Sequence, residues 1–328
     1  MTEVTLRSIQ DAARAIAGRI HRTPLLASRT LSEMTRHRLY LKPENLQKTG
    51  CFKPRGALNK IARMPAAERA RGVMAASAGN HAQGLAYAAS ALSIPVKVVM
   101  PATAPAAKVD ATRAMGAEVV LHGNGFDEAL AFSLELQKRT GMAYVHPCCD
   151  ADVVSGAGTI GLEILVDLPD VDAIVIPIGG GGLISGISVA VKSQRPAVRI
   201  FGVQPAGAPS MKRAMEAGHV VVLESARSIA DGMTGRAGFE DTLKYVKRYV
   251  EDVLLVSDTS LLGAISLLLT RCKLLAEGAG AGPLAAILDG ALPLPPGSKV
   301  VALISGGNQD LGLLARWLTE GLDAGGGA

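Results

Sequence analysis

The chain reads Lys42-Pro-Glu-Asn-Leu-Gln-Lys-Thr-Gly-Cys-Phe-Lys-Pro-Arg-Gly-Ala57 near its N-terminal end, and this stretch places Lys53 between an aromatic ring and the start of a helix. Phe52 precedes the lysine, and Pro54, a residue that suits a first helical position, follows it. Partial burial and a helix N-terminus both lower the pKa of a lysine, and only the neutral amine attacks a carbonyl such as an aldehyde. The stretch therefore predicts an amine nucleophile at Lys53, although a solvated surface lysine is the commoner case.

Three further stretches follow buried apolar runs. Ser77-Ala-Gly-Asn-His-Ala-Gln-Gly84 precedes a helical pattern that starts at Leu85, and Gly179-Gly-Gly-Gly-Leu183 precedes one that starts at Ile184. Backbone N–H groups at helix starts bind carboxylates or phosphates, and four consecutive glycines let the backbone wrap an anion. The third stretch, Ser305-Gly-Gly-Asn308, ends a buried strand. Each stretch alone is equally typical of a tight turn in an ordinary α/β sheet.

Taken together and in this order, the four segments resemble the pyridoxal-phosphate-dependent enzymes of the tryptophan-synthase-β type, fold type II, and among them the threonine/serine dehydratase and serine racemase family. The resemblance runs from about His21 to Asn308. It implies an α/β fold of two three-layer αβα domains with mostly parallel sheets, and pyridoxal 5'-phosphate as the cofactor. It also implies a large cofactor-binding domain (1–46 plus 145–328), a small mobile domain (47–144) and a cleft between them that holds the cofactor.

The resemblance implies a role for each matching residue. Lys53 would bind the cofactor aldehyde covalently, and Phe52 would pack against the cofactor ring. Asn80 would hydrogen-bond the phenolic oxygen of the cofactor, and Ser305 would face its pyridine nitrogen. The residues expected to receive the phosphate through backbone N–H groups are Gly179, Gly180, Gly181, Gly182 and Leu183. The residues expected to hold the substrate carboxylate are Ser77, Ala78, Gly79, Asn80 and His81.

Four other positions bear on the site. Glu277 falls at a family position close to cofactor and substrate, but a polar residue at the end of a helix, ahead of a glycine cap, explains it equally well. Arg236 could be a second carboxylate contact, although a solvated loop arginine is commoner. The racemase-like members carry metal-binding carboxylates where this chain has Gln204 and Ser210. Because hard divalent cations need such oxygen ligands, we expect no metal site here.

A neutral serine at the pyridine nitrogen favours β-elimination. An aspartate at that position would keep the ring protonated and make it a strong electron sink, which a serine does less well. A shorter-lived carbanion loses its β-leaving group promptly. We therefore expect dehydration and deamination of L-threonine or L-serine to a 2-oxo acid and ammonia, with Lys53 as the general base. Phenylserine, hydroxyaspartate and a hydroxyectoine-derived acid stay open as bulkier substrates.

Racemisation is the alternative reaction within the family, and it needs a second acid/base. In the racemases this group is a serine directly before the Gly-Asn of the substrate loop, where this chain has Ala78. Alanine exchanges no proton, so the sequence favours a dehydratase, while Ser77 keeps racemisation open. A cysteine synthase would carry Thr-Ser-Gly-Asn in this loop. A catalytically silent cofactor-binding protein is disfavoured because all four segments are retained.

Composition agrees with an enzyme rather than a nucleic-acid-binding protein. A chain of 328 residues, 48% of them hydrophobic, has ample material for about two buried domains. With 3% aromatic residues, its core must consist of small aliphatic side chains, and base-stacking surfaces are not expected. The net charge of +5 forms no basic run, so no nucleic-acid partner is predicted.

The cysteines and the termini suggest where the protein acts. The four cysteines show no zinc-ligand spacing and are expected to be reduced thiols. No signal peptide pattern and no apolar run of membrane-spanning length occur, which predicts a cytoplasmic protein without a membrane partner. The resemblance implies a homodimer or homotetramer that acts on a small amino acid. The glycine-rich tail 323–328 is expected to be disordered.

Overall fold

Ten β-strands and fourteen α-helices form within residues 1–322, which are the residues that this computed structural model describes. The disorder expected for the tail 323–328 lies outside them. The strands are β1 (Leu26–Ala27), β2 (Arg38–Pro43), β3 (Val73–Ala76), β4 (Val96–Met100), β5 (Glu118–Leu121), β6 (Ala143–Tyr144), β7 (Ala173–Pro177), β8 (Arg199–Pro205), β9 (Asp252–Val256) and β10 (Lys299–Ile304). The helices are α1 (Leu6–Ile16), α2 (Arg29–Thr35), α3 (Lys53–Arg63), α4 (Ala66–Arg71), α5 (Asn80–Ala91), α6 (Ala106–Ala114), α7 (Phe126–Thr140), α8 (Ala151–Asp167), α9 (Gly182–Lys192), α10 (Ser210–Ala217), α11 (Glu240–Tyr249), α12 (Asp258–Leu267), α13 (Gly278–Leu288) and α14 (Leu311–Glu320).

The strands form two separate sheets. One has six strands in the order β1-β2-β10-β7-β8-β9, and the other has four in the order β5-β4-β3-β6. Every pairing is parallel except that of β1 with β2. All residues of β3 and β7 are buried, as expected for parallel strands covered by helices on both faces. The predicted α/β fold with mostly parallel sheets is confirmed.

The two sheets draw on different parts of the chain. The four-stranded sheet uses residues 73–144 alone, whereas the six-stranded sheet takes two strands from before this segment and four from after it. Domain boundaries at residues 47 and 145, and mobility of the smaller part, stay predictions. Within residues 1–322, no helix has the length and apolarity that a membrane crossing requires.

Two helices begin earlier than their apolar patterns indicate. α5 starts at Asn80 rather than Leu85, and Gly84 lies within the helix. Gly84 packs closely against Lys53, since a Cβ added at Gly84 would lie 2.7 Å from Lys53 Cβ. α9 starts at Gly182, directly after a glycine in the left-handed conformation. The first helix ends at Ile16, and Gly18, with φ of 74°, turns the chain before Ile20.

Glycines on α8 and α9 set the distance between the helices that carry the candidate site. A Cβ at Gly156 of α8 would lie 2.4 Å from the carbonyl oxygen of Arg55 on α3. A Cβ at Gly186 of α9 would lie 2.2 Å from the carbonyl oxygen of Val154 on α8. Such contacts are possible only without side chains. α8 therefore holds the helix that begins at Lys53 and the helix that begins in the glycine tract at a fixed spacing.

Candidate active site

A cavity of about 670 Å³ lies where the carboxyl ends of strands from both sheets meet. Segments that follow β3, β7 and β10 line it, together with the start of α3. Ligands of open α/β sheets bind at the carboxyl ends of the strands, and this volume is typical of a small-molecule site. The residues predicted from sequence that line the cavity are Phe52, Lys53, Ser77, Ala78, Gly79, Asn80, His81, Gly179, Gly180, Gly181, Gly182, Leu183, Glu277 and Ser305. The structure thus brings every predicted site residue together, while their individual roles stay predictions.

Lys53 is the first residue of α3 and points its amine into the cavity. Its Nζ donates a hydrogen bond to the carbonyl oxygen of Pro147 at 3.2 Å and lies 4.9 Å from the centroid of the Phe52 ring. Burial lowers the pKa of Lys53, and nearby acidic side chains offset part of this shift. The amine is therefore closer to its neutral, nucleophilic form than a surface lysine.

Backbone hydrogen bonds hold the segment before Lys53 against the end of β10. The N–H of Phe52 donates to the carbonyl oxygen of Ser305 at 3.1 Å, and the N–H of Gly307 donates to that of Gly50 at 2.9 Å. Ser305, 4% exposed, follows the last residue of β10 directly. A neutral hydroxyl and the Lys53 amine are consequently fixed on neighbouring walls of the same cavity.

The glycine tract has no room for side chains. A Cβ at Gly180 would lie 2.4 Å from Cys148 Sγ, and a Cβ at Gly179 would lie 2.4 Å from the carbonyl oxygen of Gly232. Gly181 has φ of 89°, a left-handed conformation that favours glycine. Because α9 begins at Gly182, its unpaired N–H groups and the positive end of its dipole face the cavity. This part of the cavity is suited to an anion such as a phosphate.

The loop after β3 offers a second set of backbone donors. The N–H of Gly79 donates to Ser77 Oγ at 3.2 Å, and α5 begins at the next residue. The ring of His81 is already engaged, because its Nε2 donates to the carbonyl oxygen of Val145 at 2.8 Å. Burial lowers the pKa of His81 to about 3, so the ring is neutral. His81 and Asn80 can bind a carboxylate through their backbone N–H groups at the start of α5.

Asn80 lies at the centre of a chain of side-chain hydrogen bonds. Its Oδ1 accepts from Asn308 Nδ2 at 2.8 Å, and its Nδ2 donates to Glu277 Oε1 at 2.7 Å. Burial raises the pKa of Glu277 to about 7, although the hydrogen bond from Asn80 opposes this shift. The interpretation of Glu277 as a residue at a helix C-terminus is wrong, because Gly278 opens α13 and Glu277 precedes it.

Comparison with known families identifies the chain. The family described as "Pyridoxal-phosphate dependent enzyme" matches residues 16–306. This chain belongs to that family. The resemblance seen in the sequence is thereby confirmed, and so is pyridoxal phosphate as the cofactor.

Individual relatives of this pyridoxal-phosphate-dependent enzyme carry more specific names. It is 48% identical to the L-threonine ammonia-lyase of Thermotoga maritima, over 97% of this chain and 79% of that protein. It is 42% identical to the catabolic L-threonine dehydratase TdcB of Escherichia coli K12, over 98% of both. Among solved structures, maize serine racemase superposes with a TM-score of 0.92 at 35% identity, covering 98% of both chains. The serine racemase of Dictyostelium discoideum has a TM-score of 0.89 at 35% identity, covering 94% of this chain and 99% of the other.

Two further residues that line the enzyme's cavity carried no sequence signal. Lys108 of α6 and Asp231 lie 3.8 Å apart, and both line the cavity. Neither belongs to a motif, and they are far apart in the chain, so only the fold reveals that they meet. Arg236, in contrast, is exposed and donates from Nε to the carbonyl oxygen of Leu223 at 3.0 Å, as a solvated loop arginine would.

Gln204 and Ser210, for which the sequence predicted no metal site, are neutral side chains that bond to each other. Gln204 and Ser210 are buried, and Gln204 Nε2 donates to Ser210 Oγ at 3.3 Å. Gln204 Oε1 accepts from the N–H groups of Met211 and Lys212 at 2.8 and 3.0 Å. The Gln204 amide therefore forms hydrogen bonds with its neighbours and carries no negative charge that could hold a divalent cation.

We expect the stability of the cofactor-free enzyme to fall as pH rises from about 4.5 through about 7, in part because of Glu277. The folded protein holds the Glu277 proton more tightly than the unfolded chain does, so deprotonation disfavours the folded state. Glu277→Gln, which is neutral throughout, should remove about 3 kcal/mol of this decline. Urea unfolding followed by circular dichroism between about pH 5 and about pH 8 measures it. The exposed Glu224→Gln is the control, and an undiminished decline in Glu277→Gln would contradict this prediction.

Proposed function

We propose that this chain is a pyridoxal-phosphate-dependent ammonia-lyase that converts L-threonine, and L-serine as a second substrate, to a 2-oxo acid and ammonia. The observation that carries the proposal is the arrangement of one cavity. It holds the Lys53 amine with its lowered pKa, a glycine tract suited to a phosphate and the neutral hydroxyl of Ser305. The names of the relatives, which include two enzymes acting on L-threonine, support this choice of substrate.

Pyridoxal phosphate, when bound, supplies an aldehyde for the substrate amine and a conjugated ring that accepts charge from the α-carbon. The N–H groups of Gly179–Leu183, which line the cavity, would hold its phosphate, and Lys53 Nζ would hold its aldehyde. The lowered pKa of Lys53 would favour its neutral amine, which would take the α-proton of the substrate as general base. The N–H groups at the start of α5 hold the substrate carboxylate and orient the α-carbon toward the lysine.

Ser305 decides between the reactions open to such an enzyme. Its hydroxyl is neutral and lies in a buried position, so it would not hold a proton on the pyridine nitrogen as a carboxylate would. The cofactor would then be a weaker electron sink, which would favour departure of the 3-hydroxyl group over other outcomes. Ala78, which lines the cavity and carries no ionisable group, offers no acid on the second face of the substrate.

The test is the initial rate of 2-oxo acid formation by the purified enzyme with L-threonine, L-serine, 3-phenylserine and 3-hydroxyaspartate. We expect L-threonine to react fastest, by about 10-fold or more over the bulkier substrates, which is the discrimination that a single pocket contact provides. D-serine is measured in the same reactions. D-serine formed faster than pyruvate would overturn the proposal in favour of racemisation, and no product from any substrate would exclude a dehydratase.

Activity is expected to persist after dialysis against a chelator and to gain nothing from added Mg²⁺. The reason is that Gln204 and Ser210 provide no carboxylate ligand. The double variant Gln204→Glu/Ser210→Asp restores two hard oxygen ligands and is the matched comparison. Mg²⁺ should raise the Tm of this variant and leave the parent unchanged. Loss of parent activity with the chelator, reversed by Mg²⁺, would show that a metal site exists.

We further propose that the enzyme acts in the cytoplasm as a homodimer or homotetramer. Cys51, Cys148, Cys149 and Cys272 are free thiols, which supports a reducing compartment. Sedimentation of the purified enzyme measures the assembly state.

A further inference from the structure

Three side chains of one turn meet at the edge of the cavity and have no part in the proposed reaction. They are His146, Cys148 and Cys149, in the turn between β6 and α8. One ring nitrogen and the two sulfur atoms lie within 4.8 Å of one another. Cys148 is buried and lines the cavity, whereas Cys149 is half-buried. Two thiols on adjacent residues beside a ligand cavity call for a chemical explanation.

His146 shapes this turn and is not available to a metal ion. Its Nδ1 accepts hydrogen bonds from the backbone N–H of Cys149 at 2.8 Å and of Cys148 at 3.2 Å. Cys148 Sγ lies 3.8 Å from the same nitrogen. Because the Nδ1 lone pair is directed at these donors, a zinc ion would find two thiolates where it needs three or four protein ligands. The cluster is better suited to thiol chemistry than to metal binding.

The surroundings of Cys148 favour its thiolate form. A hydrogen bond from the Cys149 side chain, together with a smaller effect of His146, lowers the pKa of the Cys148 thiol against the effect of burial. The same hydrogen bond raises the pKa of Cys149, and burial adds to the shift. Of the two thiols, Cys148 is therefore the one whose surroundings favour the thiolate. The thiolate is the nucleophilic form of cysteine.

Cys148 also packs directly against the glycine tract. A Cβ at Gly180 would lie 2.4 Å from Cys148 Sγ, and a Cβ at Gly182 would lie 2.9 Å from Cys148 Cα. The sulfur has no space on this side for an added oxygen atom. A change at Cys148 must therefore move the backbone that lines the anion-binding part of the cavity.

We propose that Cys148 and Cys149 form a peroxide-sensitive thiol pair, whose oxidation to a disulfide displaces the glycine tract and releases the cofactor. The effect on the cofactor rests on the phosphate-binding role proposed above for this tract. The thiol chemistry does not, because it depends on the geometry of the turn alone.

The chemistry balances with hydrogen peroxide as the oxidant. The Cys148 thiolate attacks one peroxide oxygen, an S–O bond forms, the O–O bond breaks, and hydroxide leaves to become water. The sulfur is oxidised by two electrons and the peroxide is reduced. Cys149 sulfur then attacks Cys148 sulfur, so that the S–S bond forms and the S–O bond breaks. A second water leaves with the Cys149 proton.

Adjacency makes such a disulfide reversible. Neighbouring Cα atoms are about 3.8 Å apart across a trans peptide, whereas unstrained disulfides join Cα atoms about 4.4–6.8 Å apart. Strain of this kind makes the bond easier to reduce, as in labile regulatory disulfides. The pair is accordingly a sensor and not a structural bridge.

The holoenzyme is treated with increasing hydrogen peroxide, and each thiol is followed by peptide mass spectrometry while released cofactor is collected by filtration. We expect the peptide with Cys148 and Cys149 to lose two hydrogens at a dose that leaves Cys272 reduced. Cys272 is the internal control because it lies outside the cavity, half-buried, and burial raises its pKa. Cofactor should appear in the filtrate in proportion to the disulfide, and dithiothreitol should allow it to rebind.

Cys149→Ser separates the two thiols. This variant should keep its activity before peroxide, form no disulfide, and accumulate Cys148 sulfinic acid, which dithiothreitol does not reverse. Recovery after reduction should therefore fall several-fold relative to the parent. Phenylarsine oxide, which bridges two nearby thiols, should bind the parent and not the variant.

Two outcomes would overturn the inference. Free thiols at Cys148 and Cys149 after a dose that oxidises Cys272 would exclude a reactive pair. A disulfide that forms while all cofactor stays bound would refute the coupling to the glycine tract. Failure of the proposed function is distinguishable from both, because the untreated enzyme would then form no 2-oxo acid, while cofactor release and peptide mapping would still report on the thiol pair.

Discussion

Lys53→Ala is expected to lower the rate of 2-oxo acid formation by at least about 10⁴-fold, the upper end of what a positioned general base contributes. The substitution removes both the covalent anchor of the cofactor and the base that takes the α-proton. His81, the buried base nearby, does not replace it, because its ring donates to Val145 and its pKa is about 3. The measurement is the initial rate with L-threonine under saturating pyridoxal phosphate.

A lysine on the same helix provides the matched control. Lys60 lies on α3 and pairs with Asp150 at 2.8 Å, and this pairing raises its pKa against the effect of burial. Lys60→Ala should lower activity by less than about 10-fold, because the lost ion pair is partly solvent-exposed.

Borohydride reduction of the holoenzyme followed by peptide mapping gives an independent readout. The cofactor should be recovered on the peptide that contains Lys53, and the Lys53→Ala enzyme should carry none. A cofactor attached to another lysine would refute the role of Lys53, even if the variant were inactive.

The parts of the site that the sequence predicts are those built from neighbours in the chain. Lys53 at a helix start and the glycine tract after β7 are strand-turn-helix units, and apolar runs with glycine punctuation are local signals. The sequence therefore predicted the parallel α/β fold, and all of its candidate site residues line one cavity. It misplaced helix starts where a glycine lies within the helix, as Gly84 does in α5.

The remaining features arise from residues distant in the chain. Glu277 meets Asn80 only because β10 and α13 bring the segment at 277 against the start of α5. The ion pair of Lys108 with Asp231 likewise joins two segments that are far apart in the chain. No local sequence pattern predicts such long-range contacts. The direction of the Glu277 pKa shift could not be predicted from the sequence either, because it depends on burial by both segments.

Arg55→Leu is expected to lower the free energy of unfolding by about 3–5 kcal/mol, the cost of removing one partner from a buried ion pair. Arg55 is fully buried and contacts Glu44 twice, from Nε at 2.7 Å and from Nη2 at 2.8 Å. It also donates from Nη1 to Glu163 at 2.6 Å, and Lys42 donates to the same carboxylate at 2.6 Å. Two cations and two carboxylates thus neutralise each other, and loss of Arg55 leaves an excess negative charge out of reach of water.

Arg29→Ala is the matched surface control for this experiment. Arg29 pairs with Glu33 at 2.9 Å, and their side chains are 92% and 65% exposed. Exposed pairs contribute about 0–1 kcal/mol, so this variant should unfold at nearly the same urea concentration as the parent. Urea unfolding followed by circular dichroism compares the two. Equal midpoints for Arg55→Leu and Arg29→Ala would refute the prediction.

A second substitution shows whether the unpaired charge is the cause of the loss. Glu44→Gln, added to Arg55→Leu, removes the excess negative charge while keeping the oxygen that accepts from Thr23 Oγ1 at 2.6 Å. If the cost arises from an uncompensated buried carboxylate, the double variant should be more stable than Arg55→Leu alone. If the cost arises instead from lost packing around the guanidinium, the second substitution should lower stability further. Arg55 is two residues from Lys53 and joins α3 to the turn after β2 and to α8, so the same network stabilises the segment that carries the lysine.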